Sequence, residues 1–519
     1  MTAELIKDSI KMLQMIEKDT VQVLLEEDIL VPDIKPDLSK IVSIEGKMKI
    51  LDKEISNNVK IEGKIDLKIL YTPLAETDDF PLIPLDASIN FNQELDYPFS
   101  EKMDVDIVGN VEHMDFEIIN ERKLRVKTVA NITSKVYQAS DKTLLSPLND
   151  VEMQLLKKEA QYTDIVEKKK APIDIKEELA IKEGMPEIGK ILNWDVNIVE
   201  NQKQITNNKI VINAAVQYNI LYMSEEIDAV PVLFRENSEF TQFIDIKEVE
   251  GFSDSKVDFV LNHTNISTKK DSEENTTIFD AYVDITTQVE ILKTKEKTIV
   301  VDAYHPLKEI EVQKDSLTCK LLDGKSTADM SVREILNIPD GLPDADRILQ
   351  VTAKVFETGS MIEKERDIVE GILSVSILYL SNEEKKKVYG FNEEIPFRNA
   401  VEIAGLSAEK EIEREVLVKK VDFETINSKQ IAISAEIIIK SAAYKKQNYE
   451  ILTDVAILDE PINIEENPSI ILYVTKKEDN LWKIAKMHRT TIEEIRTINN
   501  IEETAEVSPG EKLILIKNC

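Results

Sequence analysis

Residues 59–73 read VKIEGKIDLKILYTP. Val59, Ile61, Gly63, Ile65, Leu67 and Ile69 alternate with Lys60, Glu62, Lys64, Asp66 and Lys68, a period of two that sends one row into a core and the other into water. That is the signature of a half-buried antiparallel strand. The alternation returns at Ile210, Ile212, Ala214, Val216, Tyr218 and Ile220, and again at Val369, Gly371, Leu373, Val375 and Ile377. All three runs close on an Ile-Leu-Tyr step, at Tyr71, Tyr222 and Tyr379.

Working outward, each run is preceded by a second shared block: IKPDLSKIVSIEGKMKI (34–50), GMPEIGKILNWDVNIVE (184–200) and GLPDADRILQVTAKVFE (341–357). A third block follows each, beginning VEHMDFEI, VLNHTNIS and VKKVDFET. The period is about 150 residues, the size of a domain rather than of a solenoid repeat. Turn sequences such as ISNNVK and INSKQI sit between the runs, where Asn tolerates the left-handed backbone of a tight reversal. The expected fold class is mainly β: tandem β-sandwich-like repeat domains over 1–150, 151–305 and 306–465, and a small C-terminal β-α-α-β domain over 466–519. A short N-terminal helix is expected from Leu5, Ile6, Ile10, Leu13, Ile16 and Val23, which share one side at helical spacing. Connectors are expected near 150–175 and 300–335, where alternation fades. The steps Pro36-Asp37, Pro186-Glu187 and Pro343-Asp344 read as turns, the proline restricting the chain and the acid capping it.

A chain of 519 residues with 42% hydrophobic residues can bury several cores. Its net charge of −33 repels phosphate backbones and anionic lipid, and the only basic runs are short ones such as Lys168 to Lys170. Two cysteines, Cys319 and Cys519, build neither a disulfide framework nor a zinc knuckle. The first residues interrupt their apolar positions with Lys and Asp, unlike a signal peptide, and no run approaches a membrane span. A soluble cytosolic protein is expected.

From Tyr473 the pattern changes to a short strand, a helix capped by Asp479 or Asn480 with Leu481, Ile484 and Ala485 inward, and a second helix. That second helix starts near Thr490 or Thr491, with Glu493 or Glu494 placed for a capping box and Ile492, Ile495 and Ile498 inward. The closing SPGEKLILIK supplies a turn and a strand. With Tyr473, Asp479, Leu481, Trp482, Ile484, Ala485, Thr491, Ile495, Asn499, Asn500, Pro509, Gly510 and Leu513 in place, the module resembles the lysin motif (LysM) family. The resemblance implies an N-acetylglucosamine groove between the loop before the first helix and the loop after the second, with Glu478, Asp479, Asn480, Leu481, Trp482, Asn500 and Ile501 as candidate binding residues. The family's Gly-Asp-Thr reads Glu478, Asp479, Asn480 here, and its Gly after the first helix reads Arg489. A Glu side chain fills space that glycine leaves open for sugar, so peptidoglycan is a disfavoured partner.

The upstream blocks resemble the SPOCS repeats of clostridial spore-coat proteins. That resemblance implies a scaffold made in the mother-cell cytoplasm that places coat around the forespore surface and supports cortex formation. It implies a tail that grips a sporulation ATPase of the SpoIVA type, with other coat proteins as further partners to look for. The competing expectation is a peptidoglycan-binding anchor. No cofactor is expected.

Trp482 admits two roles, a partner contact or a core residue. Trp194 reads as core. His113 and His263 fall at matching places, but the third repeat offers Val421 there, so a metal or catalytic site is not expected. Glu26 with Glu27 and Glu393 with Glu394 are candidate glycosidase pairs, with a solvated face as the default reading in so acidic a chain. No phosphate loop, nucleophile elbow or Ser/Cys–His pairing emerges, and a non-enzyme is expected.

Overall fold

A computed structural model describes residues 6–516 apart from 57, 75–81, 98–99, 101, 148–152, 207, 226–229, 248–253, 383–386 and 462–469. The first unit comprises β1 (Lys7–Leu30), β2 (Leu38–Ile55), β3 (Val59–Pro73), β4 (Ile83–Leu95), β5 (Met103–Asn120) and β6 (Lys123–Leu145). The second comprises β7 (Gln154–Ala180), β8 (Ile188–Ile205), β9 (Lys209–Ser224), β10 (Pro231–Asp245), β11 (Asp254–Lys270) and β12 (Thr276–Tyr304). The third comprises β13 (Lys308–Asn337), β14 (Arg347–Glu363), β15 (Arg366–Ser381), β16 (Lys387–Glu402), β17 (Glu411–Asn427) and β18 (Gln430–Pro461). The tail follows as β19 (Ile470–Val474), α1 (Leu481–His488), α2 (Ile492–Asn499) and β20 (Lys512–Ile516).

Each unit is two three-stranded antiparallel sheets, ordered β1-β6-β5 and β2-β3-β4 in the first and repeated as β7-β12-β11 with β8-β9-β10 and β13-β18-β17 with β14-β15-β16. The first and last strands of a unit pair with each other and close it. The apolar rows expected from the sequence fill the space between the sheets: Ile61, Ile65, Leu67 and Ile69 of β3 meet Leu124, Val126, Ala130 and Ile132 of β6 in one core. The two repeated sequence blocks find a joint purpose. Tyr71 Oη donates to the Pro36 carbonyl at 2.7 Å, Tyr222 to Pro186 at 2.8 Å and Tyr379 to Pro343 at 2.8 Å, so each buried tyrosine ties the end of one strand to the turn that opens the neighbouring strand.

The expected N-terminal helix is a strand. β1 pairs along its length with β6, and a bulge at Ile16 shifts its phase, with Ile10 and Met12 buried before it and Val23 after. Two period-two runs joined by one extra residue mimic helical spacing. The expected connectors are also strands, β7 and β13: their alternation fades because their second faces are also covered in part, by neighbouring units. The histidine correspondence shifts by one residue. His113, His263 and Lys420 each follow a bulge and face Val129, Asp284 and Glu436, so Lys420 and not Val421 is the third counterpart. All three are exposed. Glu26 and Glu27, like Glu393 and Glu394, are consecutive on strands and project to opposite faces, so neither pair can converge on a substrate. Trp194 packs partly on the second core but carries the Lys68 ammonium 3.2 Å from its ring centre.

The units close into a ring. β3 and β4 lie against β8, β10 against β14, and β16 returns to β2, where Gly390 allows its backbone to meet the Val42 carbonyl, space a Cβ would occupy. Matching residues of all three units meet on a common axis at two apolar levels. One holds Val42, Leu192 and Leu349 with Leu70, Leu221 and Leu378. The other holds Ile10, Ala160 and Leu317 with Met12, Tyr162 and Cys319, where burial pushes the Cys319 thiol up to about 11. Gln14 stitches this second level, donating to the carbonyls of Thr163 (2.6 Å) and Lys320 (2.9 Å) and accepting from the Lys320 amide (3.1 Å). No helix among the described residues is long and apolar enough to cross a membrane.

Candidate functional site

The tail folds as β-α-α-β, its two strands antiparallel and its core made by Leu481, Trp482, Ile484, Ala485, Ile495, Leu513 and Leu515. Of the two capping candidates for α1, Asn480 is the cap, its side chain accepting from the Lys483 amide at 2.8 Å. Thr491 caps α2, in a reciprocal box with Glu494. Asn499 pins α2 to β20 by exchanging two hydrogen bonds with the Ile514 backbone.

The candidate groove residues divide by role. Glu478 is exposed and offers its carbonyl to Lys483 Nζ at 2.9 Å. The Asp479 carboxylate accepts from the Lys476 amide (2.8 Å) and the Tyr473 hydroxyl (2.7 Å), and these bonds hold its pKa below the ordinary value. Asn480 is spent on the cap. Asn500 is exposed and ends α2 at a left-handed φ of 54°, a conformation Asn tolerates; Ile501 packs half-buried on the tail core. Leu481 and Trp482 are buried, at 7% and 8% exposure.

Trp482 instead faces the three-unit body. Its ring meets Tyr304 edge-on at 5.0 Å, and its Nε1 donates to Asp302 at 2.8 Å. Lys486, one turn along α1, pairs with the same carboxylate at 2.7 Å, and Arg489 pairs with Glu309. Tyr304 Oη donates to the Thr490 carbonyl at 2.7 Å. Burial alone would raise the Asp302 pKa, but the bonds from Lys486 and Trp482 outweigh it and the net shift is downward. One stripe of α1 is thus latched onto the seam between β12 and β13. The sequence reading missed Asp302, Tyr304 and Glu309, which fall in a segment taken for a connector. Bulges before Asp302 and Asp454 align β12 with β18 and make Tyr304 the counterpart of Ala456 of the third unit, a correspondence visible only in the strand pairing.

No described residue covers the opposite face of the tail sheet. Ile470 (66% exposed) pairs with Ile516, and Leu472 (64%) with Ile514, with Val474 beside them across from Lys512. Five branched apolar side chains on one face of a two-stranded sheet form a contiguous patch, and Lys476, Lys477 and Lys512 lie exposed at its Val474 end.

A ring of β units carrying a small helix-pair module is consistent with a binding or scaffold protein. The SipL, SPOCS domain family matches residues 37–119, 187–269 and 344–426, which correspond to β2–β5, β8–β11 and β14–β17, and the LysM domain family matches residues 473–515. The chain has the SipL architecture, three SPOCS domains followed by a LysM domain. No curated protein and no solved structure matches it.

Proposed function

We propose that the chain is a non-enzymatic spore-coat morphogenetic scaffold whose LysM domain binds a SpoIVA-type sporulation ATPase, holding coat at the forespore surface on the mother-cell side and supporting cortex formation. The family match supports a spore-coat protein. The observation that carries the tail's role is the apolar face of β19 and β20, which suits a protein partner and offers few polar groups to a sugar. The groove loops add to this, since Asp479 accepts from the Lys476 amide and the Tyr473 hydroxyl and Asn480 from the Lys483 amide, all within the domain.

The test is capture of the purified ATPase by the full chain carrying Leu472→Glu and Ile514→Glu. Both side chains are exposed, so the fold is retained while binding falls at least about tenfold, as expected for charges set in an apolar interface core. Undiminished capture would remove the apolar face as the docking surface, and saturable retention of the unaltered chain on N-acetylglucosamine polymers in preference to the ATPase would overturn the reading in favour of a peptidoglycan anchor.

A further inference from the structure

The two edges of the tail sheet are treated differently. β20 is protected: Asn499 donates to the Ile514 carbonyl and accepts from the Ile514 amide, so both backbone groups of Ile514 point away from β19. In an antiparallel pair, residues directly opposite each other either exchange both backbone bonds or turn both groups outward. Leu472 lies opposite Ile514, so its amide and carbonyl also point outward, on the far side of β19, and those of Ile470 and Val474 follow by the period of two. Among the described residues no hydrogen bond reaches these six groups.

Native sheets blunt a free edge with a charged residue, a proline, a bulge or a cover. β19, reading IILYV, has no charge or proline in its five residues, and its register with β20 runs without a bulge. The unprotected edge also borders the apolar face: Ile470, Leu472 and Val474, which offer the backbone groups, are the residues whose side chains stand exposed beside Ile514 and Ile516. A ligand that meets both features carries donors and acceptors at every second residue and apolar side chains on the same period. That describes an extended polypeptide, and neither a helix nor a sugar. Beyond Val474, the Asp479 and Glu511 carboxylates are turned to the Lys476 and Ser508 amides. The tail's ion pairs among the described residues are those of Lys486 and Arg489, which leaves the exposed Lys476 and Lys477 open to a carboxylate.

We propose that the tail takes its partner by strand addition. An extended segment of about five residues pairs with the outer edge of β19, sets alternate apolar side chains beside Leu472 on the exposed face, and places a carboxylate next to Lys476 and Lys477. The inference rests on the apolar face being the ATPase's docking surface and adds that the surface is read through its main chain.

The experiment is capture of the purified ATPase by the full chain carrying Leu472→Pro or Ile470→Pro, each beside a valine control at the same position. Proline removes one outward amide and sets its ring in the path of an added strand, yet no bond between β19 and β20 uses that amide, and edge strands tolerate proline there. Ile470 is the first residue of the strand, so Ile470→Pro carries the test should Leu472→Pro lose the parent Tm and tryptophan emission. Capture is expected to fall at least about tenfold in the proline variants and to stay within about threefold in the valine controls. Parent-level capture by a folded proline variant would overturn strand addition; loss of capture in the chain carrying Leu472→Glu and Ile514→Glu would then leave the apolar face standing without it. A concentration-dependent dimer of the chain alone, abolished by Leu472→Pro, would assign the edge to a second copy and overturn the proposal as well.

Discussion

The hydroxyls of Tyr71, Tyr222 and Tyr379 each satisfy a proline carbonyl in the turn about 36 positions earlier. Removing one leaves a half-buried acceptor unmatched without opening a large cavity. Tyr222→Phe is therefore expected to cost about 1–2 kcal/mol in denaturant unfolding, and the same change at a surface tyrosine far less. Asp302 makes a second sharp case. Its pKa in the folded chain lies below the ordinary 3.8, so the latch it forms contributes fully above that value and is lost as pH falls through the lowered one. Acid titration of Trp482 emission is expected to show an opening step below about pH 4. Asp302→Asn, which retains an acceptor for the indole but no charge for Lys486, should weaken docking at neutral pH and remove the step. An emission change identical in both proteins would show that the latch is not electrostatic.

Arg489 ends α1 with a φ of 54°, where a side chain costs about 1 kcal/mol relative to glycine. The chain keeps arginine there and aims it at Glu309. Arg489→Gly is expected to relieve the backbone and forfeit an exposed ion pair, leaving overall stability nearly unchanged, whereas Arg489→Ala should be less stable than Arg489→Gly by about 1 kcal/mol. Equal melting of the two variants would remove the backbone argument. Strands β3, β9 and β15 were readable from sequence because one face is uniformly apolar, and the tail because its caps and inward positions are local signals. β1 was not, since an extra residue at Ile16 turned two strand-like runs into an apparent helix. β7 and β13 were not, since sequence carries no mark for a face covered by another unit. The burial of Trp482 depends on Tyr304, about 180 positions away, and no local pattern encodes that contact.

The three units share two axial apolar levels, so they should lose structure together. Leu192→Asp places a carboxylate between Val42 and Leu349 and is expected to destabilise the chain by about 3 kcal/mol or more, with the melting of all three units shifted downward as one calorimetric transition. Three separate transitions, only one of them shifted, would show that the ring is a loose association of independent domains.

The counterpart of Asp302 in the third unit is Asp454, and it is already bonded to Lys7 at 2.8 Å. Of these two matching aspartates, only Asp302 is turned to the tail. The LysM domain is given a fixed bearing, and an object close to rotational equivalence acquires a front, beside the seam of the second and third units.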